Sequence, residues 1–468
     1  MFKWSKYYLS WMLIWIMSSQ VLAQDLGGLA LSPYSGVQGV SAQPAFLGDL
    51  AFKWDVNIIG ASANLLIKDL IPQSSISNTF YEGDKGSLSS VVTSKSQNYF
   101  VNAKIYLPSV AYKINNKSAI SFNWGIRAVG FGRVTSGSFG LLLETENGLR
   151  EIASLPKLES AVGMVNSWQD LGISYGRNIF DSSPHKLNLG VTAKYLIGGG
   201  SGFVEFSNIE VDYDEVSNTI ADIDGEITLV FNDDIEKVAS GDSKKLFNSS
   251  GFGFNFGLIY EFQDERHLNR EIDRVGEPNY LFRLSTSVSD IGQITFNASD
   301  KSAYYDLSLD ESLNPDYFDD VTGLGDLTSR LAIAFDLNKN DFYKYNLRLP
   351  TTWSTNLDWN VYSQFYINGL ISIAAIDMRT DIFKSQALNS YQLGLRYEKP
   401  KYGFYTTLAY DEFSKGGVSI SARYSVLYVG VSNLFKFKAD DSIRTLGLMA
   451  MLRVPILNKS KKGARNIF

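Results

Sequence analysis

The 468-residue chain contains no cysteine and only two histidines. Without cysteine there is no disulfide framework, no thiolate metal site and no cysteine nucleophile. A lipid-anchored lipoprotein is excluded as well, because its acylated N-terminal residue is a cysteine. Neither His185 nor His267 lies in a Gly-x-Ser-x-Gly context, so no serine–histidine hydrolase pair is visible. The net charge of −6 comes without a basic stripe, which argues against nucleic acid as a partner. Beyond the first 23 residues, no uninterrupted apolar run reaches the roughly 20 residues that a spanning helix needs. The acids Asp212, Asp214, Asp222, Asp224 and Glu226 lack EF-hand spacing and read as a solvated surface loop. The run Gly198-Gly199-Gly200-Ser201-Gly202 lacks the lysine and helix start of a phosphate cradle. The chain is therefore expected to be no enzyme, and to hold neither metal nor cofactor.

What the chain does have is 45% hydrophobic residues, 20% charged residues, 26 Tyr, 29 Phe and 39 Gly. That composition excludes a disordered polymer. Residues 1–23 carry Lys3 and Lys6, a short apolar stretch over 9–17, and Val21-Leu22-Ala23 as a small-x-small cleavage site. They read as a cleaved signal peptide, with Gln24 first in the mature chain. Export and the absence of a spanning helix point to a bacterial outer membrane.

From Phe52 onward, segments of about ten residues alternate apolar and polar side chains between turn residues, as transmembrane strands do. Phe252, Phe254, Phe256, Leu258 and Tyr260 share one face, opposed by Gly253, Asn255, Gly257 and Glu261. Period alone does not say which face meets lipid, since a soluble sandwich alternates too. Tyr, Trp and Phe at strand ends, and Gly on the polar face, favour a transmembrane antiparallel barrel. Strands are expected near 52–62, 101–113, 118–130, 167–177, 186–198, 251–262, 280–290, 345–360, 362–375, 389–398, 402–411, 417–424, 426–433 and 443–457. That makes about fourteen, with twelve to sixteen open. Short periplasmic turns alternate with long extracellular loops over 63–100, 131–166, 199–250 and 291–344. Within 199–250, residues 203–213 and 221–231 read as a hairpin above the membrane. The organisation expected is a signal peptide (1–23), an N-terminal periplasmic or lumen-plug segment (24–51), the barrel (52–457) and a basic tail (458–468).

Before the first strand stands Ser41-Ala42-Gln43-Pro44-Ala45-Phe46-Leu47-Gly48. It resembles the Asn-Pro-Ala segment near the start of barrels related to the long-chain fatty-acid transporter family. The layout is also similar to that of uncharacterised outer-membrane barrels of Bacteroidota. Leu347-Arg348-Leu349-Pro350-Thr351-Thr352-Trp353 resembles the Leu-Pro strand opening of the same group. The resemblance implies a fourteen-stranded barrel with its N-terminal segment tucked into the lumen. Gln43 stands where that group has Asn, and no ligand-binding residue carries over. Read physically, Pro44 fixes φ and holds Gln43 extended, so Gln43, Pro44 and Ala45 form a bend into the first strand or a plug.

The polar faces carry Lys104, Arg127, Lys194, Arg283, Arg348, Arg396, Arg423 and Arg453, against the acids Asp55, Asp170, Glu261, Asp358 and Glu398. A cation-rich lumen suits a pathway for anionic or amphipathic solutes; a packed network of ion pairs suits a sealed interior. Two functions stay open: a channel or transporter for small hydrophobic or anionic solutes, and a non-transporting barrel that anchors surface or secretion machinery. The expected partners are outer-membrane lipid, a small amphipathic solute, and a periplasmic protein docking on the charged segment 263–278. A barrel of this kind stays in solution only with detergent, and boiling shifts its gel mobility. A mature protein that is soluble without detergent, or whose mobility ignores heating, sinks the barrel reading.

Overall fold

The computed structural model describes residues 27–68, 97–134, 158–235, 248–263, 280–307, 312–314, 324–335, 343–374, 383–411, 416–436 and 443–456, a few single positions apart. The expected signal peptide, the basic tail, His267 and most of 263–278 lie outside these residues.

Among the described residues, eighteen strands join one sheet. The first nine are β1 (Trp54–Lys68), β2 (Gln97–Tyr106), β3 (Ser109–Asn115), β4 (Ser118–Val134), β5 (Leu158–Ser182), β6 (His185–Asp214), β7 (Thr219–Phe231), β8 (Ser249–Phe262) and β9 (Phe282–Asn297). The others are β10 (Ala303–Asp306), β11 (Lys344–Arg348), β12 (Thr352–Tyr362), β13 (Phe365–Ala374), β14 (Ser390–Glu398), β15 (Tyr402–Asp411), β16 (Gly417–Tyr424), β17 (Leu427–Lys436) and β18 (Ile443–Ile456). β2 and β3 share one place in the wall, because both pair with β1 and with β4. The break between them holds Pro108, which has no N–H for the ladder. β11 and β12 likewise follow one another along β9. β7 and β10 stand outside the wall, and β18 pairs back onto β1 from Trp54↔Ile456 to Lys68↔Ile443. The result is a closed, antiparallel, fourteen-stranded barrel.

The two faces of each strand are sorted inside out relative to a soluble protein. On β8, Phe252 is 65% exposed while Asn255 is fully buried, and on β14, Leu395 is 59% exposed beside buried Arg396. Apolar side chains form the outer surface and polar ones fill the interior, which is the sorting lipid demands. Aromatic rings gather where the strands meet their short turns. Trp54 packs on Tyr112 at 4.3 Å, Phe262 on Phe282 at 5.0 Å and Phe365 on Tyr397 at 4.7 Å, between ring centroids. Such amphipathic rings settle at the headgroup level.

At the long-loop end, β5 and β6 run on past the wall and join β7 and β10 in a small outer sheet. The hairpin expected at 203–213 and 221–231 corresponds to β6 and β7. Its inner side, with Ile209, Ile223, Ile227 and Tyr305, packs against Leu331 and Phe335 at the helix Leu324–Ala334. Its outer side carries the acids, with Asp212 opposite Asp222 and Glu210 opposite Asp224. Among the described residues no group of three or more His, Cys, Asp or Glu is arranged to hold a metal ion.

The strand expected over 345–360 is two strands, and this corrects one placement. Leu349-Pro350-Thr351 interrupts the ladder, and the inward parity changes across it: Tyr345 and Leu347 face in before it, Asn356 and Asp358 after it. Arg348 is therefore exposed, on the face away from the lumen. Its backbone instead pairs with Phe383 and Ser385 at 3.0 and 2.9 Å.

The sorting yields a direct test. Phe256→Arg, midway along the lipid face of β8, should destabilise the folded barrel in lipid by about 2–4 kcal/mol, read from denaturant unfolding in vesicles. An unchanged midpoint would place that face out of lipid.

Candidate functional site: the lumen

The N-terminal segment lies inside the barrel. A 3-10 turn, Pro44–Asp49, packs on the inward faces of β5 and β6, and Gln43 caps it by accepting from the Ala45 N–H at 3.3 Å. The Gln43 amide also donates to the Thr286 carbonyl at 2.9 Å, which ties the bend to β9. The close fit requires glycine in the wall: a Cβ on Gly190 would lie 2.2 Å from the Pro44 carbonyl carbon. Further bonds hold the rest of the segment. Asn255 donates to the Ser41 carbonyl at 2.8 Å, Asn123 to that of Val37 at 2.9 Å, and Lys113 to that of Leu50 at 2.8 Å. Gln43, Pro44 and Ala45 are thus buried parts of a plug.

Around and below the plug, at the short-turn end, the interior charges are paired. Arg396 contacts Asp358 at 2.8 Å and Glu398 at 3.0 Å, and Arg423 reaches Glu398 at 3.7 Å. Arg283 donates to Glu261 at 2.7 Å, and Lys186 bridges to Asp49 of the plug at 2.7 Å. Arg453 meets Asp55 at 3.4 Å and also donates to the Tyr34 carbonyl. Asp55 in turn accepts the Val37 N–H at 2.9 Å. Tyr280, just before β9, is fully buried, and burial raises its phenol well above the ordinary pKa. It stays protonated and donates to Asp358. Buried ions are tolerated when partnered in this way, and removing one partner is strongly destabilising.

Above the plug the lumen opens into a cavity of about 280 Å³. Its floor is Ser41, Ala42, Gln43 and Phe46 of the plug; Leu66, Phe100, Val129 and Leu388 border it towards the long-loop end. These four belong to, or pack on, a larger apolar cluster with Phe131, Trp168, Phe296 and Leu347 that fills the barrel towards that end. The cavity wall carries Lys104, Arg127 and Lys194 with two carboxylates, Asp170 and Asp290. Asp290 takes two of the cations at once, Lys194 at 2.6 Å and Arg127 at 2.7 Å.

Of the eight basic residues expected to face the lumen, Arg283, Arg396, Arg423 and Arg453 are gathered in the short-turn half. Lys104, Arg127 and Lys194 line the cavity, and Arg348 is outside. His185 lies at the start of β6, bonded to the Tyr260 hydroxyl at 2.7 Å, with no nucleophile beside it in the described contacts. Asp290, the central acid of the cavity, escapes pattern reading. It sits at φ 58 just before Gly292, at a bulge where β9 changes its inward parity. The signal that points to it is local: Ser289-Asp290-Ile291-Gly292 breaks the strict alternation, with a residue type that tolerates left-handed backbone.

Asp290→Asn keeps the shape and removes the charge that Arg127 and Lys194 share. It should destabilise the barrel by about 3 kcal/mol, the lower end expected for breaking a buried pair. The readout is a lower denaturant midpoint, and an unchanged one would mean that solvent already screens this triad.

Residues 44–432 match the profile of a family described as "Family of unknown function (DUF5723)". No curated protein matches the chain. Among solved structures, the chain is similar to a Pseudomonas aeruginosa FadL homologue, with 11% identity, 93% of this chain and 99% of that one covered, and a TM-score of 0.43. It is similar also to the Ralstonia pickettii toluene transporter TbuX, with 10% identity, coverages of 89% and 92%, and a TM-score of 0.42. The Pseudomonas putida toluene transporter TodX gives 10%, 93% and 94%, and 0.39. By the extent of the profile match, the chain belongs to the DUF5723 family.

Proposed function

We propose that the protein, exported and freed of residues 1–23, works in a bacterial outer membrane as a solute-transporting barrel whose inner exit is closed by the plug. The cavity carries this reading: a space inside the lumen lined by both polar and apolar side chains, floored by a segment of the same chain and bordered by an apolar cluster. A packed anchor has no need of such a space, whereas a transporter needs a place to hold solute. The cations expected to attract anions are largely committed to carboxylates, so the solute need not be anionic. A scaffold is the second reading, favoured by the ion pairs that seal the short-turn half.

Passage inward requires the floor of the cavity to move. Ser289 donates to the Ala42 carbonyl at 3.2 Å, so these two residues bring the plug and β9 together. The chain has no cysteine of its own, and Ala42→Cys with Ser289→Cys gives a reversible tether. In liposomes swollen with a panel of small neutral and anionic solutes, oxidation should abolish solute entry and reduction restore it. Entry that ignores the tether rules out a path through the plug, and no entry of any solute leaves the scaffold.

A further inference from the structure

The outer wall of the barrel is filled unevenly. Along β12, β13, β14 and β15 the outward residues stand in rows. Thr355, Ile371, Tyr391 and Tyr410 share one level; Leu357, Gly369, Leu393 and Leu408 share the next, one step towards the short turns. The three leucines are exposed, and two of them flank Gly369, where an added Cβ would meet nothing within 4 Å. The row therefore has a gap where its neighbours project, and the gap belongs to a groove of about 470 Å³ on the outer face. Gly130, an outward glycine of β4, differs. A Cβ there would touch the Val101 and Val165 side chains at 3.6 and 3.7 Å, so its neighbours already close over it.

The groove is continuous with the lipid-facing surface, and its position says which lipid reaches it. At its upper end stand Tyr391 and Tyr410, with ring centroids 6.4 Å apart. They are the second residue of β14 and the last but one of β15, at the long-loop end. That end is extracellular in an outer-membrane barrel, and such rings settle at headgroup level. Gly369 then lies one row, roughly 7 Å, below the headgroups of the outer leaflet. The strands of Leu357 and Leu393 are two sheet spacings apart, about 9.5 Å, which leaves a slot for one hydrocarbon chain on the Gly369 backbone. Lipid tails are as apolar as leucine, so packing alone distinguishes one place on such a wall from another. A chain in the gap touches protein on three sides, and an empty gap forfeits those dispersion contacts. A second copy of the barrel is the poorer occupant. Convex walls meet along a line, and a notch one strand wide falls far short of the roughly 800 Å² per partner of a standard interface.

We propose that the groove at Gly369 holds one acyl chain of lipid A, the glycolipid of the outer leaflet, with its headgroup above Tyr391 and Tyr410. The site rests on the outer-membrane placement of the barrel and not on transport.

Detergent-purified protein is titrated with lipid A or, separately, with phosphatidylethanolamine, and weighed intact by native mass spectrometry. The unsubstituted protein should retain one lipid A under conditions that strip further copies. Gly369→Leu fills the gap and should lower the retained fraction at least tenfold, while Gly130→Leu should leave it within twofold. Both should keep the heat-dependent gel shift. If Gly369→Leu loses it, Gly369→Ala adds a single methyl where nothing lies within 4 Å and should lower retention at least threefold. Retention that ignores the Gly369 substitutions, or falls equally in Gly130→Leu, overturns the proposal. So does phosphatidylethanolamine held as well as lipid A, and so does a dimer that Gly369→Leu splits, which would assign the groove to a second copy. Solute entry into liposomes should be the same with Gly369→Leu as without it. Failure of transport therefore leaves the lipid site standing, and failure of the lipid site leaves transport standing.

Discussion

Between β18 and β1 the ladder runs from Trp54↔Ile456 to Lys68↔Ile443 and turns a sheet into a ring. In hydrocarbon an unpaired backbone group is expensive by several kcal/mol, so a spanning sheet must close on itself. Closure then divides the side chains, because a strand's residues alternate between its faces. The outer set meets lipid, and Phe252 and Leu395 belong there. The inner set must find its partners inside a cylinder with few routes to water. The buried ion pairs and the inserted N-terminal segment both answer that demand.

The two halves of the lumen answer it differently. In the short-turn half, Arg396 and Arg453 sit against carboxylates, and the plug adds the Val37 N–H to Asp55 and the Tyr34 carbonyl to Arg453. The cavity half combines neutral hydroxyls and amides with Lys104, Asp170 and the charged triad at Asp290. Charge-assisted bonds are roughly twice as strong as neutral ones, so the short-turn half is the more strongly bonded of the two. The difference follows from the residues on alternate positions of the same strands: Arg396 and Glu398 lie low on β14, Ser390 and Gln392 high on it.

Most of the wall was legible because period-two alternation is a property of sequence alone. All fourteen wall positions overlap segments whose alternation stands out, and the turns at Asn115-Asn116 and Lys399-Pro400-Lys401 carry the expected Asn and Pro. The exceptions share one cause, a local backbone change that resets parity without a change in hydrophobicity. At Leu349-Pro350-Thr351 the reset turns Arg348 outwards; at Asp290 it turns an acid inwards that alternation assigns to neither face. The 1D pattern also does not distinguish an inward apolar face from an outward one. The exposure of Phe252 beside buried Asn255 decides that, and it depends on the barrel being closed. The plug bend at Gln43-Pro44-Ala45 was visible as a bend, but its depth in the lumen depends on glycines such as Gly190, far away in the chain.

The plug is itself unevenly held, and this bears on the proposal of transport through a barrel with a sealed floor. Its first part is fixed by charged groups: Glu398 accepts from Ser32, Arg453 donates to Tyr34, and Asp55 accepts from Val37. The part beneath the cavity, from Ser41 to Phe46, is held by neutral amide bonds from Asn255 and Gln43 and by shape against Gly190. Within the first part, Gly36 stands at φ 56, and a Cβ there would overlap the Asp55 carboxylate. Only glycine meets both conditions, the left-handed backbone and the close carboxylate. A displacement that opens the floor can therefore break the weaker bonds first while the charged anchors stay made. Gating by the plug then needs no rupture of the ion pairs that seal the short-turn half, and those pairs cease to be an argument for a scaffold alone.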